Sequence, residues 1–121
     1  LTKSDRWILS EFLVARDRTS LFGDSLLYHR QVTPYAELDL IFESTMRAPD
    51  GLVRCLTIIE VKSVSAGLWA REVVSRKQRL RLERARWYVE LKAQRRTRLI
   101  LATVETGPAG NPVIHYFDAP F

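Results

Sequence analysis

Two acids and a lysine stand out by type and spacing. Asp39 sits in the stretch AELDLIF, and Glu60 and Lys62 flank Val61 in IIEVKS, 21 and 23 positions further on. Both stretches alternate with the period of a β-strand, so Glu60 and Lys62 share a face. The turn-rich segment MRAPDG between them closes a hairpin, and a turn centred on Pro49 and Asp50 makes paired positions sum to roughly 99 or 100. That register sets Asp39 opposite or diagonal to Glu60. Two carboxylates so close repel, and each raises the other's pKa unless a cation compensates. Mg²⁺ (or Mn²⁺) is the natural compensator: it prefers oxygen and keeps several waters, so Asp39, Glu60, the backbone carbonyl of Val61 and a substrate phosphate make a sensible set of ligands. Such an ion lowers the pKa of water and stabilises charge on phosphate, while Lys62 orients the water or holds the scissile group. The expected reaction class is phosphodiester hydrolysis. The plainer reading is a surface pair of Glu60 and Lys62 of small energetic value, with Asp39 an isolated exposed acid. Context favours the first: the charged pair ends an otherwise apolar strand, and an acidic strand precedes it at hairpin spacing.

The elements that must position these groups follow from periodicity. Ser4 or Asp5 can cap a first helix reaching about Arg16, with Trp7, Ile8, Phe12 and Ala15 as its apolar face. Gly23 and Asp24 end it, and LLYHRQV reads as a strand stopping before Pro34. In AELDLIFE, alternation turns Leu38, Leu40 and Phe42 one way and Glu37, Asp39 and Ile41 the other. VRCLTIIEVKS is a third strand, rich in β-branched residues, with Ile59 and Val61 opposite in facing to Ile58, Glu60 and Lys62. SVSAGLWA reads as a loop. From about Arg71 to Gln94 no Pro or Gly interrupts a helix carrying Leu82, Ala85, Tyr88 and Val89 on one stripe. TRLILATVE is a fourth strand, TGPAGNP a turn, and VIHYF a final strand. The order α-β-β-β-α-β-β predicts an α/β fold with helices on a mixed sheet of about five strands.

At 121 residues the chain is long enough for one core and too short for two ordinary ones, so a single domain over 1–121 is expected. Hydrophobic residues at 46% and charged ones at 27% exclude a disordered or collagen-like composition. No apolar window is long enough to span a membrane and no secretory leader is visible, so a cytoplasmic chain without membrane partners is expected. Starting at Leu1 without an initiator Met, the sequence is compatible with a short stretch ahead of it. Cys55 is the only cysteine, which excludes an internal disulfide and a cysteine-rich zinc site; a buried strand position is its expected role. His29 and His115 show no His-x-x-x-His pattern, so zinc is not expected. Segment 71–98 holds eleven Lys and Arg against three Glu, so it carries +8 and the remainder −3 of the net +5. That asymmetry suggests a polyanion-binding face, with a solvated Arg-rich helix surface as the bland alternative.

AELDLIF, IIEVKS, SRKQRLRLERARWYV and RLILATVE together resemble the YraN-like family of bacterial proteins, within the PD-(D/E)XK nuclease superfamily related to Holliday junction resolvases. The resemblance is strongest from Ala36 to Val89. It implies a restriction-endonuclease-like core, a divalent metal held by Asp39 and Glu60, and Lys62 as the catalytic lysine. Lys77 and Gln78 match the family's K-Q at the start of the basic helix, which in related nucleases approaches the site or the phosphate. The family's Gly-x-x-Gly/Ala-Glu motif in the first helix is not intact in SDRWILSEFL; Asp5 or Glu11 is the candidate accessory acid, with helix capping for Asp5 and a solvent-facing position for Glu11 as the plainer readings. Val64 replaces the family's Arg, and the glycine-aromatic loop is altered to GLW.

The function expected is therefore metal-dependent hydrolysis of nucleic acid, DNA first, possible substrates being junctions, flaps or single strands. Asp39, Glu60 and Lys62 are the expected catalytic residues, and Arg76, Lys77, Gln78 and Arg81 the expected backbone contacts. Glu37 is a further candidate for the acidic face, and Trp69 either stacks on a base or caps the core edge. A homodimer would suit a symmetric substrate. The competing readings are a non-catalytic nucleic-acid-binding or partner-binding module on a nuclease-like fold, and a structural protein whose Arg-rich helix contacts an acidic protein.

Overall fold

A computed structural model describes residues 3–64, 73–107 and 109–121, with side chains from residue 8 onward. The elements are α1 (Lys3–Phe22), β1 (Ser25–Val32), β2 (Glu37–Ala48), β3 (Gly51–Ser63), α2 (Arg76–Ala93), β4 (Thr97–Thr106) and β5 (Pro112–Asp118). The five strands form one mixed sheet in the order β1-β2-β3-β4-β5. Neighbours are antiparallel except β3 and β4, which are parallel because α2 carries the chain back between them. This is the α/β order that the periodicity predicts.

The two helices cover opposite faces. On one, Leu82 and Ala85 of α2 pack with Ile41, Leu56, Ile58, Leu99 and Leu101. On the other, Val14 of α1 packs with Leu40, Phe42, Ile59, Ile100 and Ala102. Consecutive residues of β2, β3 and β4 thus enter different clusters, as the two-residue period of a strand requires. Cys55 is buried, as expected. β1, at the sheet edge, is exposed along its whole length. No helix among the described residues is long and apolar enough to cross a membrane.

Four local expectations need correction. α1 continues past Arg16 to Phe22, since nothing before Gly23 breaks it, and it already includes Ser4 and Asp5, which therefore do not cap it. α2 begins at Arg76, where the Ser75 hydroxyl accepts the Gln78 amide at 3.1 Å and caps the first turn. Leu38 packs with Ile41 and not with Leu40 and Phe42, so strict alternation fails at the end of the β2–β3 ladder.

The largest change concerns the buried face of α1. Ile8 and Phe12 are 50% and 59% exposed, whereas Ser10, Glu11, Val14 and Arg18 are buried. The reason lies in what the helix meets. Ser10 Oγ bonds Ser63 Oγ, Glu11 pairs with Arg30, and Arg18 pairs with Asp24. A buried polar group costs little once it has a partner, and these partners come from β3, from β1 and from the turn that follows α1.

Gly23 closes α1 at φ +71°, and the next amide, Asp24 N–H, donates to Arg18 C=O at 3.2 Å. A Cβ at this position would meet no atom within 4 Å, so only the left-handed backbone resists a side chain. Gly23→Ala is therefore expected to destabilise the protein by about 1 kcal/mol in urea unfolding. A loss of several kcal/mol would mean that packing, and not conformation, governs this turn.

Candidate active site

The hairpin pairs Ala48 with Gly51 and continues in register to Leu40 with Ile59. One further step would set Asp39 against Glu60, as the sequence predicts. There the two strands part. The Val61 amide donates to Asp39 Oδ2 at 2.8 Å, so an acid side chain replaces the next ladder bond. β3 runs on to Ser63 beside β4, with Glu60 aligned to Leu101 and Lys62 to Thr103. What the structure shows at Val61 is thus an amide aimed at Asp39; the carbonyl proposed as a ligand is held in the same short stretch.

Glu60 is 7% exposed and Asp39 partly buried. Lys62 Nζ stands 3.7 Å from Glu60 Oε1. The structure therefore brings together all three residues singled out by spacing. Burial is the main force on the two carboxyls, raising both pKa values by penalising charge. Glu60 goes up to about 9, pushed by burial first and by the Asp39 charge next, with Lys62 opposing. Asp39 is also raised, although the Val61 amide and a hydrogen bond from Glu60 favour its ionised form. Without a bound metal ion Glu60 holds on to its proton, and the negative charge of Asp39 helps to keep it there.

Glu11 corrects the sequence reading. It is not a solvent-facing acid: it is 5% exposed, and its charge raises the pKa of both Asp39 and Glu60. Its carboxylate is held by Arg30, with Nη2 to Oε2 at 2.9 Å and Nε to Oε1 at 3.3 Å, and by His29 Nε2 at 3.3 Å. Arg30 reaches it from a left-handed backbone, φ +56°. Sequence reasoning missed Arg30 and His29. The pairing arithmetic used for the β2–β3 turn, applied to the turn at Pro34, aligns His29 with Leu40 and Gln31 with Leu38, which leaves Arg30 across from Asp39.

The remaining candidates lie elsewhere. Glu37 is exposed, and its charge acts on Arg30. Among the described residues, no hydrogen bond or ion pair joins Arg76, Lys77, Gln78 or Arg81 to Asp39 or Glu60. Arg76, Lys77 and Arg81 are exposed on α2. That helix meets Phe121 beyond β5 through Arg79, and Tyr35 of the β1–β2 loop through Tyr88. The side chain of Asp5, and Trp69 with its loop, lie outside the described residues.

Among the described residues, no group of three or more His, Cys, Asp and Glu side chains could by itself hold a metal ion. Arg30 and His29 hold the carboxylate of Glu11. The donor set is two adjacent carboxyls withdrawn from water, one of which keeps a proton because burial and its neighbour's charge outweigh the pull of Lys62. Such a pair suits a hard dication that retains water and shares its remaining positions with substrate. No model of a known protein family matches the chain, and no curated protein matches it.

Proposed function

We propose that the chain is a metal-dependent nuclease acting on DNA, built on a restriction-endonuclease-like core, with its chemistry at the fork between β2 and β3. The observation that carries this reading is the meeting of Asp39, Glu60 and Lys62 where the ladder opens. The resemblance to the YraN-like family supports it, because its acidic and E-V-K motifs fall on these residues.

Asp39 and Glu60 would hold a Mg²⁺ or Mn²⁺ ion, which when bound supplies Lewis acidity toward phosphate and a more acidic water. The protein residues then have separable tasks. Asp39 is oriented by the Val61 amide, so one oxygen is fixed before substrate arrives. Glu60 must give up its proton to take part, which its burial resists until positive charge is near. Lys62, beside Glu60, supplies a fixed positive charge for the scissile phosphate or for the attacking water. Glu11, braced by Arg30, adds negative potential to the pair. The exposed cations of α2, Lys77 and Arg81 among them, would attract the DNA backbone, an interaction that salt weakens.

The test is cleavage of labelled duplex, single-stranded, flap and four-way-junction DNA in Mg²⁺, in Mn²⁺ and in EDTA. Metal-dependent cutting is expected, lost in the Asp39→Ala, Glu60→Ala double variant. Lys62→Ala should slow it by roughly 10²- to 10³-fold, the usual effect of removing one preorganised charge donor. DNA binding that persists in EDTA and in the double variant, with no substrate cut, would instead favour a non-catalytic nucleic-acid-binding module. That second reading draws on the Arg30 grip on Glu11, which keeps a third acid from joining the pair.

A further inference from the structure

A cavity of about 890 Å³ shares no lining residue with the acidic fork and lies between α2, the start of β4 and the segment after β5. Its size is within the range of roughly 300–1,000 Å³ usual for small-molecule sites. Five arginines line it: Arg47 of β2, Arg76, Arg79 and Arg86 of α2, and Arg98 of β4. Among the described residues two acids do so, Glu83 and Asp118. Leu80, Leu99 and Pro120 give it an apolar wall.

The arginines are unequally satisfied. Arg86 bonds Glu83 at 2.9 Å and stands 3.8 Å from Glu90, and Arg98 lies 3.5 Å from Asp118. Arg79 gives Nη1 to the Phe121 carbonyl at 2.6 Å, while its Nε is buried with no acceptor among the described residues. Arg47 and Arg76 are exposed and make no hydrogen bond or ion pair among the described residues. A guanidinium N–H withdrawn from water without an acceptor is costly, and clustered like charges repel. The repulsion is relieved by one anion seated among Arg47, Arg76 and Arg79. A phosphate presents several acceptor oxygens, which matches the planar donor fork of arginine better than a single halide or a lone carbonyl does.

We propose that this cavity binds the phosphate monoester of a small molecule with a planar or apolar body, of about mononucleotide size. The arginines take the phosphate, and the wall of Leu80, Leu99 and Pro120 takes the body. The proposal is independent of catalysis at the fork.

Isothermal titration calorimetry in EDTA tests it, with adenosine 5′-monophosphate, adenosine and inorganic phosphate as separate probes. The monophosphate should bind saturably, adenosine should give no detectable binding, and inorganic phosphate should bind more weakly than the monophosphate. In the Arg47→Ala, Arg76→Ala variant the monophosphate should bind at least about tenfold more weakly, the scale of a lost charged hydrogen bond. Both positions are exposed, so this variant should fold, which circular dichroism checks. Asp39→Asn, Glu60→Gln should bind the monophosphate unchanged. Absence of saturable binding, equal affinity in the arginine variant, or loss in the acid variant would each overturn the proposal. Equal affinity for inorganic phosphate would reduce the cavity to a simple anion site and overturn it too. So would a short DNA duplex that loses affinity in the arginine variant while the monophosphate does not bind at all.

Discussion

Glu60→Gln is expected to eliminate the proposed cleavage of DNA and to raise the melting temperature of the metal-free protein, by a margin that widens from about pH 5 to about pH 8. The second half follows from the direction of the Glu60 shift. Its pKa rises from 4.5 to about 9 on folding. Between those values the folded protein holds a proton that the unfolded chain has released, so stability falls as pH rises. The contribution is present in full below about 4.5 and is lost progressively toward about 9. A glutamine carries no such dependence, keeps the shape of the side chain, and can still donate a hydrogen bond to Asp39. At about pH 8 the variant should melt roughly 4 °C or more above the parent, since about 1 kcal/mol shifts a domain of this size by that much.

Divalent metal should act in the opposite sense. An ion that binds only the folded protein stabilises it by mass action, so Mg²⁺ or Mn²⁺ should raise the melting temperature of the parent and leave Glu60→Gln nearly unmoved. Differential scanning fluorimetry across pH, with and without metal, reads both effects. Parallel melting curves for the two proteins at every pH would show that Glu60 does not keep its proton on folding. A metal-dependent increase of equal size in both would place the ion elsewhere.

Removing Arg18 is expected to cost about 3–5 kcal/mol in urea unfolding, the largest stability loss of any single change considered. Arg18 and Asp24 are 4% and 5% exposed, and the guanidinium meets Asp24 Oδ2 at 2.8 Å. The same guanidinium lies over the Phe22 ring at 3.9 Å and near Tyr116 at 5.1 Å. Tyr116 in turn donates its hydroxyl to Asp17 at 2.6 Å. Arg18→Ala leaves the Asp24 carboxylate buried without its cation and empties the space between two rings. Most of the loss comes from that stranded charge, so Arg18→Ala with Asp24→Ala should lose less than the sum of the two single variants. A loss below about 1 kcal/mol for Arg18→Ala would mean that water reaches Asp24 and the pair behaves as an exposed one.

The acidic fork was legible from the sequence because it depends on short-range rules. Period-two alternation put Glu60 and Lys62 on one face, and the position of the Pro49–Asp50 turn fixed the pairing that the structure shows from Ala48 with Gly51 to Leu40 with Ile59. The uninterrupted run before Gln94 likewise showed α2, with Leu82 and Ala85 buried as its stripe required. Each of these inferences uses residues joined by one turn or one helix, where chain connectivity leaves little freedom.

Tertiary structure decided which side of α1 faces inward. Hydropathy favoured Ile8 and Phe12, yet Ser10, Glu11 and Arg18 are the buried residues, because Ser63, Arg30 and Asp24 are there to pair with them. No local pattern encodes a partner 53 residues away, as for Ser10 and Ser63. The same holds for the arginine cavity, whose walls come from β2, α2, β4 and the segment after β5. The charge of those arginines was plain in the composition, but their convergence on one recess arises only when the crossover lays α2 across the sheet. What the residues could do was written in their order, and which of them meet was set by packing between segments far apart in the chain.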